Sequence, residues 1–198
     1  MDTAEQLREI KRALRGMMNG VVSASMREKG LTYKVNFGVE LPRLQAWAQE
    51  LPHTHELAQA LWQEDIRECR LLAAMLQPVG QFPPQLADIW VESMRFTEEV
   101  ECCVMYLFQN LPYASEKAYE WMASSHTVSQ QCGFQLMARL FSRGARPEGR
   151  DADEFLDQAV AAVRSDDGRV AGAARRAIMK YMDLGPQEEA AAEKALNL

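Results

Sequence analysis

The sequence predicts an all-α protein built as an α-solenoid, a stack of helix pairs of the α-α superhelix class. Three observations carry that prediction. Almost every apolar segment repeats at the 3, 4, 7 spacing of a helix. β-signals are confined to one short stretch, "LTYKVNFGVELPRL". A polar residue suited to capping a helix recurs between adjacent helical segments, at Asp65, Thr97, Thr127 and Asp167, at intervals of 32, 30 and 40 residues.

The elements follow in chain order. "TAEQLREIKRALRGMMNGVVSASMREKG" supplies one or two helices that cap the open end of the stack, so residues 1–30 are read as capping helices. "LTYKVNFGVELPRL" is read as a loop because Gly38 follows Phe37 directly, and Pro42 then suits the first turn of a helix through Leu44 and Trp47. Thr54, after Pro52, caps "HELAQALWQ", which ends near Gln63. "IRECRLLAAMLQ" runs from Ile66 to about Gln77 and stops before Pro78. In front of it, Asp65-Ile66-Arg67-Glu68 has the form of a capping box, so this knot of charge is expected to mark a helix boundary.

The same grammar returns three times. "LADIWVESMRF" leads through Thr97 to "EEVECCVMYLFQNL", "ASEKAYEWMASSH" through Thr127 to "VSQQCGFQLMARLF", and "DADEFLDQAVAAVRS" through Asp167 to "GRVAGAARRAIMKYM". The last interval is stretched by the polar loop "SRGARPEGR", residues 142–150. Helix pairs that recur every roughly 30 to 45 residues bury their apolar sides only against their neighbours. Tetratricopeptide and ankyrin patterns are absent, so irregular HEAT-like pairs over residues 40–183 fit best, in a single domain spanning 1–198 that closes in an acidic tail, 184–198. Trp47, Trp62, Trp90 and Trp121, and a methionine-rich set including Met18, Met94 and Met105, are expected in the core.

Composition narrows the function. A chain 47% hydrophobic and 25% charged is ordinary globular material. No stretch approaches the roughly 18 apolar residues of a membrane helix, and Met1-Asp2-Thr3-Ala4-Glu5 lacks signal-peptide order, so the expected location is cytoplasmic with no membrane partner. Cys69, Cys102, Cys103 and Cys132 sit in apolar patterns without a CxxC pair and read as buried reduced thiols. His53-Thr54-His55-Glu56 lacks a third ligand, and three histidines leave no candidate triad, so neither a metal nor a cofactor is expected. Residues 1–39 carry seven basic and four acidic side chains, a balance of +3, whereas residues 40–101 carry four and eleven, a balance of −7. That acidic middle opposes tight phosphate binding there.

Together, "YKVNFGVELPRLQAWAQEL" and "HELAQALWQEDIRECRLLAAML" resemble the bacterial DNA alkylation repair family of HEAT-like alkylpurine DNA glycosylases, within the armadillo-type folds. That family has an FGV-x-x-P-x-L segment before an ELA-x-x-LW helix and an RE-x-x-x-LA helix, and all three occur here in order. The resemblance runs from about Tyr33 to Met182. It implies a surface that grips duplex DNA bearing a cationic N3- or N7-alkylated purine, and hydrolysis of the glycosidic bond. Aromatic faces and a carboxylate would stabilise the positive charge.

Carried over residue by residue, the pattern departs from the family. Thr97 stands where the family has a tryptophan, and Glu101 where it has the aspartate four residues on. Its N-x-W-x-R-R pattern reads His126-Thr127-Val128-Ser129-Gln130-Gln131, so two phosphate-facing arginines are amides; a second aromatic position falls near Arg176. Glu101 is thus either the catalytic carboxylate or an ordinary acid beside Glu98 and Glu99 at a helix start, where the macrodipole favours negative charge. Lys11, Arg12 and Arg15 near the N-terminus, and Arg139, Arg143, Arg146 and Arg150 around the polar loop, are candidate phosphate contacts or solvated helix faces. Three functions fit: a divergent family member with weak or no base excision and a DNA-binding or structural role, an active DNA N-glycosylase, and a scaffold that binds a protein partner.

Overall fold

The computed structural model describes residues 2–197. Among them are twelve α-helices, two short 3-10 turns and no strand beyond one isolated bridge between Val35 and Ile66, as an all-α HEAT-like fold requires. The chain divides into two compact units, one ending at Phe82 and one beginning at Pro83.

The first unit holds α1 (Thr3–Gly16), α2 (Gly20–Glu28), α3 (Leu41–Ala48), α4 (His55–Trp62) and α5 (Arg67–Leu76). Asp2, Asn19 and Thr54 cap α1, α2 and α4 by accepting from Glu5 N, Val22 N and Leu57 N, and Pro42 occupies the first turn of α3. α1 and α5 pack against α4, and α3 packs against α5.

The expected capping box at Asp65 is not formed: the residue before α5 is Ile66, with no side-chain cap. Glu68, fully buried, instead accepts from the backbone N–H groups of Phe37 and Val39, both at 3.1 Å, and Arg67 Nη1 donates to Val39 O at 2.8 Å. Asp65 O accepts from Val35 N, and Arg67 N donates to Val35 O. A loop with no sheet of its own has buried backbone groups that need partners. The charges in the first turn of α5, with the backbone of Asp65, supply them. Gly38 lies at φ +72°, and a Cβ there would stand 2.3 Å from Asn19 O, so the loop passes α2 too closely for any side chain.

The second unit holds α6 (Pro84–Ser93), α7 (Thr97–Tyr106), α8 (Ala114–Met122), α9 (Thr127–Ser142), α10 (Arg150–Val163), α11 (Gly168–Met182) and α12 (Pro186–Leu196). The second helices of the pairs lie side by side, α7 against α9 and α9 against α11, while α8 packs on α9 and α10 on α11. Gly133 permits the α8–α9 approach, because a Cβ there would meet Met122 N at 2.5 Å. Phe141, Phe155 and Tyr181 form an aromatic core cluster with centroids 4.8–5.5 Å apart. The acidic segment after residue 183 contains α12, packed on α10 and α11.

Several local expectations are corrected here. Thr97 and Thr127 are the first residues of α7 and α9 rather than their caps, the preceding residues being Phe96 and His126. At α7 the work is done by Glu99, whose Oε2 accepts from Arg95 N at 2.7 Å and Phe96 N at 3.1 Å. Asp167 does cap α11, accepting from Arg169 N at 2.9 Å. Trp62, Trp90 and Trp121 are buried, but Trp47 is only half-buried. The methionines do not form one core face: Met94 is buried, whereas Met18 is 63% and Met105 44% exposed.

Candidate nucleic-acid interface

The side-by-side row α7, α9 and α11 in the second unit carries the positions singled out by the family resemblance. Polar bonds fix the register of α7 against α9 at both ends. Near the starts of the two helices Gln131 Nε2 donates to Thr97 Oγ1 at 3.0 Å, and beyond the end of α7 Arg139 Nε donates to Gln109 Oε1 at 2.7 Å. Glu101, one turn after Thr97, is exposed on α7 between these two contacts.

Thr97 and Gln131 therefore meet, although the resemblance expects an aromatic ring at one and a phosphate-facing arginine at the other. Gln131 is 2% exposed, so its amide is held within the unit and cannot reach a backbone phosphate. Gln130 is half-buried, and His126 Nδ1 lies 3.2 Å from Ser129 Oγ. Arg176 is exposed on α11, and neither it nor Glu101 forms an ion pair among the described residues.

Most of the candidate basic residues are engaged by the protein itself. Lys11 Nζ donates to Glu64 Oε2 at 2.9 Å. Arg143 Nη1 donates to Gln109 O at 2.8 Å and Asn110 Oδ1 at 3.1 Å, while Arg146 bonds Glu188 and Leu184 O. Arg12 projects to solvent. The histidine group is structural: His53 Nε2 lies 3.0 Å from Ala48 O and His55 Nδ1 lies 3.1 Å from Gln77 Nε2, and no cluster able to hold a metal occurs among the described residues. All four cysteines are free and buried, and burial beside Glu64 and Glu68 pushes the Cys69 thiol up to about 12.

Gln131 and Gln109 were the partners missed in the sequence. The signal was present in their spacing, since the bonds they make join residues 34 and 30 apart, close to one helix-pair interval.

A row of paired helices packed in this way defines a HEAT-like helical-repeat protein. The family model for DNA alkylation repair enzyme matches residues 10–181, and the chain belongs to that family. A solved structure described as a new family of proteins related to the HEAT-like repeat DNA glycosylases, with affinity for branched DNA structures, has the same fold. Its TM-score is 0.81 at 15% identity, over 96% of this chain and 82% of that one. No curated protein matches significantly.

Proposed function

We propose that this chain is a divergent DNA alkylation repair family member that engages DNA through its helix-pair surface, with base excision weak or absent. The observation that carries this reading is the Thr97–Gln131 hydrogen bond. Hydrolysis of an alkylpurine glycosidic bond develops positive charge on the sugar, and a π face together with a carboxylate stabilises it. A hydroxyl that already accepts from a buried amide offers no π face. Glu101 keeps one half of the pair. Loss of a single preorganised stabilising contact costs about 3 kcal/mol, roughly 100-fold or more in rate. The structural relative's affinity for branched DNA structures supports DNA as the partner.

The test is release of N3-methyladenine and N7-methylguanine from methylated duplex DNA by the wild type and by Glu101→Gln, with binding to a four-way junction and a plain duplex measured in parallel. Release at the uncatalysed rate by both proteins, together with saturable binding to either DNA, is the expected result. Release by the wild type that Glu101→Gln abolishes would instead establish an active DNA glycosylase. Failure to bind both DNAs would remove the DNA-engaging part of the proposal.

A further inference from the structure

A cleft of about 740 Å³ opens within the first unit between α1, the segment beginning at Lys34, and the turn from α4 into α5. Its volume is that of a small-molecule site. α1 turns Leu7, Lys11 and Arg15 into it, one residue every four and hence on one helix face. Glu64 is half-buried and held by Lys11, and Asp65 Oδ1 accepts from Lys34 N at 3.4 Å. Arg15 and the Lys34 ammonium, both exposed, enter no ion pair among the described residues. The cleft thus combines two uncommitted cations, carboxylate acceptors, and an apolar wall that includes Leu7 and Val35.

Those three features are complementary to different parts of one kind of molecule. The guanidinium fork of Arg15 and the ammonium of Lys34 match a phosphate. Glu64 and Asp65 accept from exocyclic amines, as carboxylates do from bases. The apolar wall suits the face of a flat heterocycle. A bare inorganic anion would leave the wall and the carboxylates without a role, and a neutral apolar ligand would leave the cations without one.

We infer that this cleft binds a nucleoside phosphate, with the phosphate between Arg15 and Lys34 and the base against Leu7 and Val35, its amino edge toward Glu64 or Asp65. The site stands apart from Thr97 and Glu101 in sequence and does not depend on whether base excision occurs. A free mononucleotide and the terminal nucleotide of a DNA strand share the required chemistry.

Calorimetric titration of the full chain separates these sources, using deoxyadenosine monophosphate in one arm and duplexes with 5′-phosphate or 5′-hydroxyl ends in the other. Arg15→Glu and Lys34→Glu should each weaken binding at least tenfold, and Arg8→Glu, the same charge change at an exposed α1 position outside the cleft, less than twofold. Arg15→Gln and Lys34→Gln should follow the same ranking with smaller losses, which covers a charge reversal that fails to fold. Mononucleotide binding assigns a free nucleotide. A preference for phosphorylated ends without mononucleotide binding assigns a strand terminus. Absence of binding by either probe to millimolar concentration, or an equal loss from Arg8→Glu, overturns the inference.

Discussion

Glu68 shows how a charge that looks chemical in the sequence can be wholly architectural. Its carboxylate accepts from two backbone N–H groups of the Phe37–Val39 loop and faces the Arg67 guanidinium at 3.3 Å, with no solvent exposure. Truncation to alanine leaves two buried donors unsatisfied, each costing about 1–3 kcal/mol, and strands the Arg67 charge. Glu68→Ala should therefore cost about 3–5 kcal/mol in urea unfolding, and Glu68→Gln less, because its amide oxygen still accepts from one of the donors. A loss below about 1 kcal/mol for Glu68→Ala would show that the loop does not depend on this carboxylate. The neighbouring Arg70 is likewise committed, to the Trp62 ring at 4.1 Å and to Trp62 O. The same accounting explains Gln131, which is buried beside Thr97 and serves as an internal tie at a position where the resemblance expects an arginine.

At the scale of elements, polar ties between successive pairs repeat with the period of the helices. Glu68 reaches 31 residues back to Phe37, Lys117 29 back to Asp88, Trp121 33 back to Asp88, and Tyr119 32 forward to Asp151. Helix starts are where this grammar can be tested by pH. The Arg169 guanidinium and backbone hold the Asp167 carboxyl down at about 2, against an ordinary 3.8. A carboxyl depressed in the folded state contributes stability above its unfolded value and loses it as pH falls toward the folded value. Asp167→Ala should thus cost about 1 kcal/mol at neutral pH, the usual worth of a cap, with the difference from wild type shrinking as pH falls below 3.8 toward 2. Denaturant unfolding at pH 7, 5 and 3 measures it, and a pH-independent difference would show that the ionised carboxylate is not what matters. Helix positions were legible in the sequence because burying one face of each helix imposes its period. Of the caps read from the sequence, Thr54 and Asp167 formed, where local side-chain bonds act; at Asp65 and Thr97 a partner 31 or 34 residues away competed for the side chain and won, and the caps at Asp2 and Asn19 went unread. The Thr97–Gln131 tie needed a long-range pairing that no local pattern states, so the sequence showed which positions had changed but not that they had joined.

For the whole molecule, the sequence reads as one domain, whereas backbone contacts group residues into units on either side of Phe82 and Pro83. We propose that the chain nevertheless unfolds as one. The family match runs across that boundary, from residue 10 to 181. The connection between α5 and α6 contains a 3-10 turn, Val79–Gln81, and Pro78, Pro83 and Pro84, rather than a flexible Gly/Ser linker. In a helical repeat, stability is the sum of repeat and nearest-neighbour terms, so an interruption in that sum would separate the transitions of the two units. The cysteines report on both: Cys69 lies in the first, and Cys102, Cys103 and Cys132 in the second, all buried. Buried thiols should react far below stoichiometry with a thiol reagent in the native chain, and fully once it unfolds. Pulsed labelling along a urea series, with the modified peptides resolved by mass, should find all four becoming reactive over one denaturant range. Exposure of Cys69 at a clearly different urea concentration from the other three would assign two independently unfolding domains.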